Sequence, residues 1–417
     1  MTSVVTAGEL AALVRPGQSI YVAGGLTPPS AFVEALQRNT ELSRDLHITS
    51  TITPGFPNPF DFDRLHPTAT LTGPLMDRAF AVAQQQGRYR MLPLTFAGFL
   101  RHLKAQTFDL GVVQVAPPDV NGNCSFGPSV EFLPAALERC RRIVAVVNPM
   151  LPSLSFAATV PAKCIDAMCE AASAVPNYGS DTDDGTETIG RLIAQMVEDA
   201  STVQMGLGKV PAAMTKHLTG HRRLKIHSGM VSDGLMDLVK AGALDEGSVN
   251  TVAVAAGSQA FYDWLPQARG LRIDGCGAVY ASDVLAKLEQ FVAVNSALEV
   301  DLFGQCNLEH LAGRAVSGAG GGPDFARVAR ACRGGLSVVA LNATFGREPQ
   351  SRIVPALGPG AVVSLSRLDV DVVVTEFGLA DLRVASVNER ARSLIGVAAP
   401  QFRGDLESAW AALSARL

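Results

Sequence analysis

No apolar run in this chain approaches the roughly 20 residues that a membrane-spanning helix needs. The N-terminal Met1-Thr2-Ser3-Val4-Val5-Thr6 has no basic segment ahead of an apolar stretch. Neither a membrane span nor a signal peptide is supported, so the cytoplasm is the expected compartment. Charge of one sign is equally scarce. The net charge is −4, which gives a nucleic-acid partner no electrostatic basis. Paired cysteines are missing too. Cys124, Cys140, Cys164, Cys169, Cys276, Cys306 and Cys332 are odd in number, scattered, and form no Cys-x-x-Cys pair. A disulfide framework is excluded, and these read as small core residues of a reducing compartment. Among the histidines only His217 and His221 have ligand-like spacing. Leu218-Thr219-Gly220 between them lacks the glutamate of a His-Glu-x-x-His site, and Arg222, Arg223 and Lys225 follow. No metal site is expected.

What is present is core. The 417 residues are 47% hydrophobic and 18% charged, more than one ordinary core accommodates, so two α/β domains are expected. Strands are predicted at Ser19–Ala23, Leu46–Ile52, Phe108–Ala116 and Arg142–Val147, then at Thr202–Met205, Val249–Ala256, Leu298–Phe303, Leu336–Leu341 and Asp371–Thr375. Phe108–Ala116 is a nearly continuous apolar run, interrupted at Asp109 and Gln114, as in parallel strands buried on both faces, and the recurrent strand, turn, helix order predicts parallel sheets. The polar, acidic stretch Asn177–Glu187 has no apolar period and is the expected linker. It divides the chain into domains at 1–180 and 188–417.

Glycine-rich turns at strand ends are the candidate binding elements. Gly24-Gly25-Leu26-Thr27-Pro28-Pro29 follows the first strand, and Gly206-Leu207-Gly208-Lys209-Val210-Pro211 follows Thr202–Met205. Such turns let the main chain approach a ligand and present N–H groups to an anion. Val210-Pro211 stands where a Rossmann fingerprint has its third glycine, so no dinucleotide site is read. The densest cluster is Ser317-Gly318-Ala319-Gly320-Gly321-Gly322-Pro323-Asp324-Phe325. Its conformational entropy cost calls for a backbone reason, and a ligand supplies one. Glu376 stands at the carboxyl end of a strand whose centre, Val372-Val373-Val374, is all apolar, where a carboxylate is either paired, with Arg352 or Arg383, or in a site. Leu224 to Gly234 reads as a strand, a tight turn and a helix start, with Ser232 or Asp233 as N-cap.

These segments, in this order, resemble the acetyl-CoA hydrolase/transferase family, which includes 4-hydroxybutyrate and acetate/succinate CoA-transferases. The resemblance rests on Gly206 to Pro211, Gly304-Gln305-Cys306-Asn307, Ser317 to Phe325, Ser351-Arg352-Ile353-Val354-Pro355 and Val374 to Arg383. Pro117-Pro118-Asp119 through Ser125-Phe126-Gly127 and Val147 to Pro152 also fit. It implies two open α/β domains with mostly parallel sheets, an active site between them, an acyl-CoA substrate and a homodimer. It assigns CoA or substrate binding to Gly206, Gly208, Lys209, Asn307, Gly320, Gly321 and Gly322, and a catalytic place to Glu376.

The family's transferases use a glutamate as covalent nucleophile, in the pattern His-[Ser/Thr]-Glu-Met. Here the pattern is His227-Ser228-Gly229-Met230. Near Ala281-Ser282-Asp283 an asparagine that holds the acyl group is also replaced, and Ser282 aligns with it. Glycine cannot form an acyl anhydride, so ping-pong transfer through position 229 is chemically excluded. Three readings follow. The chain hydrolyses an acyl-CoA at the thioester or a carbon–carbon bond, with Glu376 positioning water and N–H groups near Gly321 and Gly322 stabilising an oxyanion. Alternatively Glu376 or Glu309 serves as a relocated nucleophile, or the chain binds CoA without catalysis. Cys306 is a lesser candidate nucleophile and His227 a lesser candidate base.

Overall fold

A computed structural model describes residues 3–179 and 181–416. It divides into two compact units, one formed by residues up to Tyr178 together with Thr251–Ala281, the other by Gly179–Asn250 with Ser282 onward. Residues 251–281 therefore do not cluster with the rest of the expected 188–417 domain. The reason is local. Ala253 O accepts from Val130 N–H at 3.0 Å, Ala255 N–H donates to Pro128 O at 2.8 Å, and Ala158 N–H donates to Ile273 O at 2.9 Å. The expected linker is also partly ordered. Ser180, inside it, lies outside the described residues, but a helix (α1) spans Asp184–Ala194. Asp183 and Thr186 start it by a reciprocal capping box, each side chain accepting the other's backbone N–H at 2.9 Å.

The first unit holds a wholly parallel sheet. Its strands are β1 (Ser3–Val4), β2 (Ser19–Val22), β3 (His47–Thr49), β4 (Thr70–Gly73), β5 (Tyr89–Met91), β6 (Leu110–Val115), β7 (Ile143–Val147) and β8 (Ala167–Glu170), in the order β1-β8-β7-β6-β2-β3-β4-β5. From β2 the chain lays strands outward to β5, then returns to the other side of β2 with β6. The carboxyl ends of β2 and β6 thus flank a topological switch point, where open α/β sheets form a crevice. The Gly24-Gly25 turn lies there. Gly25 has φ +66°, and a Cβ on it would stand 1.7 Å from Glu131 Oε1.

Within the second unit the strands are β9 (Thr202–Gln204), β10 (Lys225–Val231), β11 (Phe291–Ser296), β12 (Leu336–Ala340), β13 (Val372–Thr375) and β14 (Gly378–Asp381). They run β10-β9-β11-β12-β13-β14, parallel except for the antiparallel β13–β14 pair. The central strand β11 is not among the sequence expectations. Leu298–Phe303, expected as a strand, supplies Glu299–Asp301 to a small sheet with Cys306–Asn307 and Ile353–Val354. Here too the order reverses, between β9 and β11. β10 also runs further than expected. The predicted turn comes only after Val231, so Gly229 is a buried strand residue.

Glu131 is a consequence of the first unit's fold that its sequence does not announce. It is 8% exposed, holds a left-handed backbone at φ +46°, and accepts a hydrogen bond from Ser129 Oγ at 3.2 Å. Burial pushes its carboxyl up to about 7 from 4.5, against the lowering effect of Ser129. The folded state therefore binds this proton more tightly than the unfolded chain does. Stability is expected to fall as pH rises from 4.5 to about 7, and to level off above that. Glu131→Gln is expected to remove this decline, worth on the order of 3 kcal/mol at most. Urea denaturation of both proteins at about pH 5 and about pH 8 measures it, and identical pH dependence in the two would refute it.

Candidate functional site

Parallel register decides what gathers at the second unit's switch point. Gln204 on β9 pairs with Ala293 on β11, and Val203 pairs with Ile226 on β10. One residue on, Gln204 stands level with His227. Strand side chains alternate, so Gln204, His227, Gly229, Ala293 and Asn295 address one face of the sheet. A helix (α4, after α2 at Ser30–Arg38 and α3 at Lys209–Leu218) spans Gly322–Ala331 and packs on that face. The His227 ring lies edge-on to Phe291 of β11 at 6.5 Å and to Phe325 of α4 at 6.4 Å. A Cβ on Gly322 would stand 3.0 Å from Asn295 Oδ1.

Two helix N-termini bear on this crevice without side-chain caps. Gly208, at φ +116°, is the N-cap of α3, and nothing lies within 4 Å of a Cβ built on Gly206 or Gly208. Gly321 is the N-cap of α4, preceded by Gly320 at φ +59°. The first-turn N–H groups of such helices favour an anion or a developing oxyanion. Ser228 ties the strands together beneath them. Its Oγ lies 2.5 Å from Met205 O and 3.3 Å from Met205 N, immediately before Gly206.

Other expected residues are placed differently. Lys209 Nζ pairs with Asp183 Oδ2 at 3.0 Å across two half-exposed side chains. Asn307 is 1% exposed, and its amide is spent on its own fold. Its Nδ2 donates to Glu299 Oε2 and His310 O at 3.0 and 2.8 Å, while Oδ1 accepts from the N–H groups of Glu309 and His310. Ser282 is exposed and opens a four-residue helical turn, Ser282–Leu285. Cys306 is fully buried, and burial pushes its thiol well up, which removes thiolate character. Glu309, also buried, accepts from Ser364 Oγ at 2.7 Å.

Glu376 and Phe377 form the two-residue turn between β13 and β14, since Thr375 pairs with Gly378. Glu376 Oε2 accepts the Ala343 N–H at 2.8 Å. Its Cβ lies 3.8 Å from where a Cβ on Gly185, in the first turn of α1, would stand. Arg383 is held by Asp381 at 2.6 Å instead. Arg352 stacks over Phe345 and donates to Leu298 O at 3.2 Å. Burial lowers its pKa, and the nearby Glu299 and Glu376 carboxylates oppose that shift.

Two residues not expected from the sequence stand out here. Gln204 is 4% exposed, and its Oε1 is buried without a hydrogen-bond partner. Asn295 Nδ2 is likewise buried and unpartnered. A polar residue closing β9 two residues before Gly206 is the signal that would have found Gln204; Asn295, one residue before the end of β11, has no glycine turn after it in sequence. Among the described residues no cluster of His, Cys, Asp or Glu forms a metal centre, and no helix is long and apolar enough to cross a membrane.

Comparison with known proteins follows the same segments. The family model for the acetyl-CoA hydrolase/transferase N-terminal domain matches residues 2–167, and that for the C-terminal domain matches residues 257–410. The chain is 35% identical over 310 residues to the 4-hydroxybutyrate coenzyme A transferase of Clostridium kluyveri, covering 72% of this chain and 71% of that protein. It is 32% identical to the succinyl-CoA:acetate/propanoyl-CoA:succinate CoA transferase of Fasciola hepatica, covering 96% and 86%. The crystal structure of RipA from Yersinia pestis superposes with a TM-score of 0.89 at 25% identity, covering 99% and 98%.

The geometry of Asn307 sets a test of its role. Asn307→Ala strands the partners of four hydrogen bonds, so a destabilisation of roughly 2–4 kcal/mol is expected. The KM for acyl-CoA should stay unchanged in the folded fraction. Chemical denaturation and steady-state kinetics together decide this, since a raised KM with unchanged stability would place Asn307 on the ligand.

Proposed function

The chain belongs to the acetyl-CoA hydrolase/transferase family, and we propose that it hydrolyses an acyl-CoA without a glutamyl-CoA intermediate. The observation that carries this reading is Gly229. It is buried in β10, on the face of the sheet shared by Gln204 and Asn295, and it offers no side chain to acylate. The family as described covers hydrolases and transferases alike, and a chain without a carboxylate at this position retains what hydrolysis needs.

The uncapped N-termini of α3 and α4 favour negative charge at the crevice. Gly206, Gly208 and Gly320 to Gly322 let the main chain close on the CoA thioester. Backbone N–H groups at Gly321 and Gly322 stabilise the oxygen of the tetrahedral intermediate. Water adds to the thioester carbon, the C–S bond breaks, and the thiolate leaves with a proton derived from the water. Glu376, tethered through one oxygen to the Ala343 N–H, stands as the carboxylate that orients water or takes its proton. The relocated-nucleophile reading uses this same free oxygen of Glu376, and one assay separates the two.

Free-thiol release and intact mass are measured on mixing the protein with short, branched and cyclic acyl-CoAs, with and without acetate. Thiol release without an acceptor and without an adduct is expected. Acetate-dependent exchange with a CoA-sized adduct on the native protein would overturn the reading in favour of a relocated carboxylate. Gly229→Glu is expected to gain carboxylate-dependent CoA exchange and a CoA-sized adduct that the native protein lacks.

A further inference from the structure

Buried polar atoms in folded proteins are almost always hydrogen-bonded, and each exception asks for an explanation. The second unit's switch point has two, on adjacent strands and of opposite kind. Gln204 Oε1 is an acceptor and Asn295 Nδ2 is a donor. Register places both on the α4 face, Gln204 beside Ala293 and Asn295 two residues on. A side chain at position 229 would point to that face as well. Neither atom is left open through slack packing. Gln204 is 4% exposed, and Asn295, half-buried as a residue, has its Nδ2 enclosed and lies by the first residue of α4, where a Cβ on Gly322 would meet its Oδ1 at 3.0 Å.

We infer that Gln204 and Asn295 hold the nucleophilic water of the hydrolysis, in the space that a side chain at Gly229 would enter. An acceptor and a donor set on neighbouring strands match a water molecule better than an anion or a cation, because only a group that both gives and takes a hydrogen bond satisfies the two together. Asn295 Nδ2 donates to one lone pair of the water, and Gln204 Oε1 accepts one of its hydrogens. The second lone pair is left to attack the thioester carbon. An O–C bond forms and the C–S bond breaks. The departing thiolate takes one of the two water hydrogens, and the acid product releases the other to solvent as it ionises. No oxidant or further reactant enters. A neutral amide cannot serve as base, so the contribution of the pair is position. An amide that orients an attacking water has the same effect in phosphoryl transfer.

This inference rests on the hydrolytic reading, and the test separates the two. Gln204→Met and Asn295→Leu are assayed for acceptor-free thiol release, KM, CoA binding and Tm. Each is expected to lower kcat about 10- to 100-fold at unchanged KM. Each is also expected to raise Tm by about 2–4 °C, because an unsatisfied buried polar atom is replaced by an apolar one. A merely structural role predicts the opposite sign for Tm. Unchanged kcat in both variants, with the native protein hydrolysing, would overturn the water site and leave the hydrolytic reading intact. Absence of acceptor-free thiol release by the native protein would overturn both.

Discussion

The order reversal between β9 and β11 is the constraint on which the second unit's chemistry depends. Two parallel strands whose connections leave in opposite directions have no helix covering the gap between their carboxyl ends. Gly206 and Gly208 leave β9 there, Asn295 stands one residue from the end of β11, and the N-terminus of α4 lies over Asn295. Glu376 belongs to the β13–β14 turn. Because register is locked by strands buried on both faces, a slip of one residue in β9, β10 or β11 would turn Gln204, His227 or Asn295, respectively, to the other side. The site is thus as rigid as the sheet's own core.

Polar groups around this gap divide by whether the fold satisfies them. Asn307, Asp301 and Glu309 are buried and spent. Asp301 receives the N–H groups of Phe303 and Gln305, and Glu309 receives Ser364 Oγ. They hold the small sheet and the turns around it. Gln204 Oε1 and Asn295 Nδ2 are buried and unspent. A desolvated polar atom without a partner costs about 1–3 kcal/mol, and two of them stand at the switch point, where open α/β sheets place ligands. Others lie elsewhere in this unit, at His221 Nδ1, His310 Nδ1 and Arg352 Nε. The first unit makes a related concession at its own switch point, where Glu131 combines burial, a left-handed backbone and a carboxyl resting on Gly25.

Much of this was legible beforehand, for identifiable physical reasons. Phe108–Ala116 is apolar but for Asp109 and Gln114, and Asp371–Thr375 has an all-valine centre, which marks burial on both faces, and the glycine turns mark the ends of β2 and β9. The two-unit α/β architecture follows from length and from that alternation. What escaped follows from contacts distant in sequence. Residues 251–281 look like any other strand and helix pair, and only their bonds to Pro128, Val130 and Phe156 assign them to the first unit. Glu131 sits in an unexceptional stretch, and its burial depends on Gly25, far away in the chain. Asn307 resembled a ligand contact because its motif travels with the glycine loop, yet its amide is spent on Glu299, Glu309 and His310. Phe291–Ser296 ends in Asn-Ser, and those polar residues blur its strand signal while being the reason it matters.

Gly229 joins these threads. Glycine inside a strand weakens it, adding backbone entropy to the unfolded chain and no packing to the folded one. Its neighbours show no such economy. Ile226, His227 and Ser228 are buried, and Ser228 is bonded to the β9 end. A strand built for stability alone would carry a β-branched residue at 229. The fold therefore carries a local loss at 229 beside two further losses at Gln204 and Asn295, on one face of three adjacent strands. Under the proposed hydrolysis, a water bridging the unpartnered donor and acceptor would offset part of that cost whenever the site is filled. On that proposal an apolar side chain at 229 would recover packing but exclude the water, and a carboxylate would replace it with a nucleophile of the protein's own. The absence of a side chain at 229 is thus, in the proposed reaction, the element that selects solvent, rather than the protein, as the group that meets the thioester.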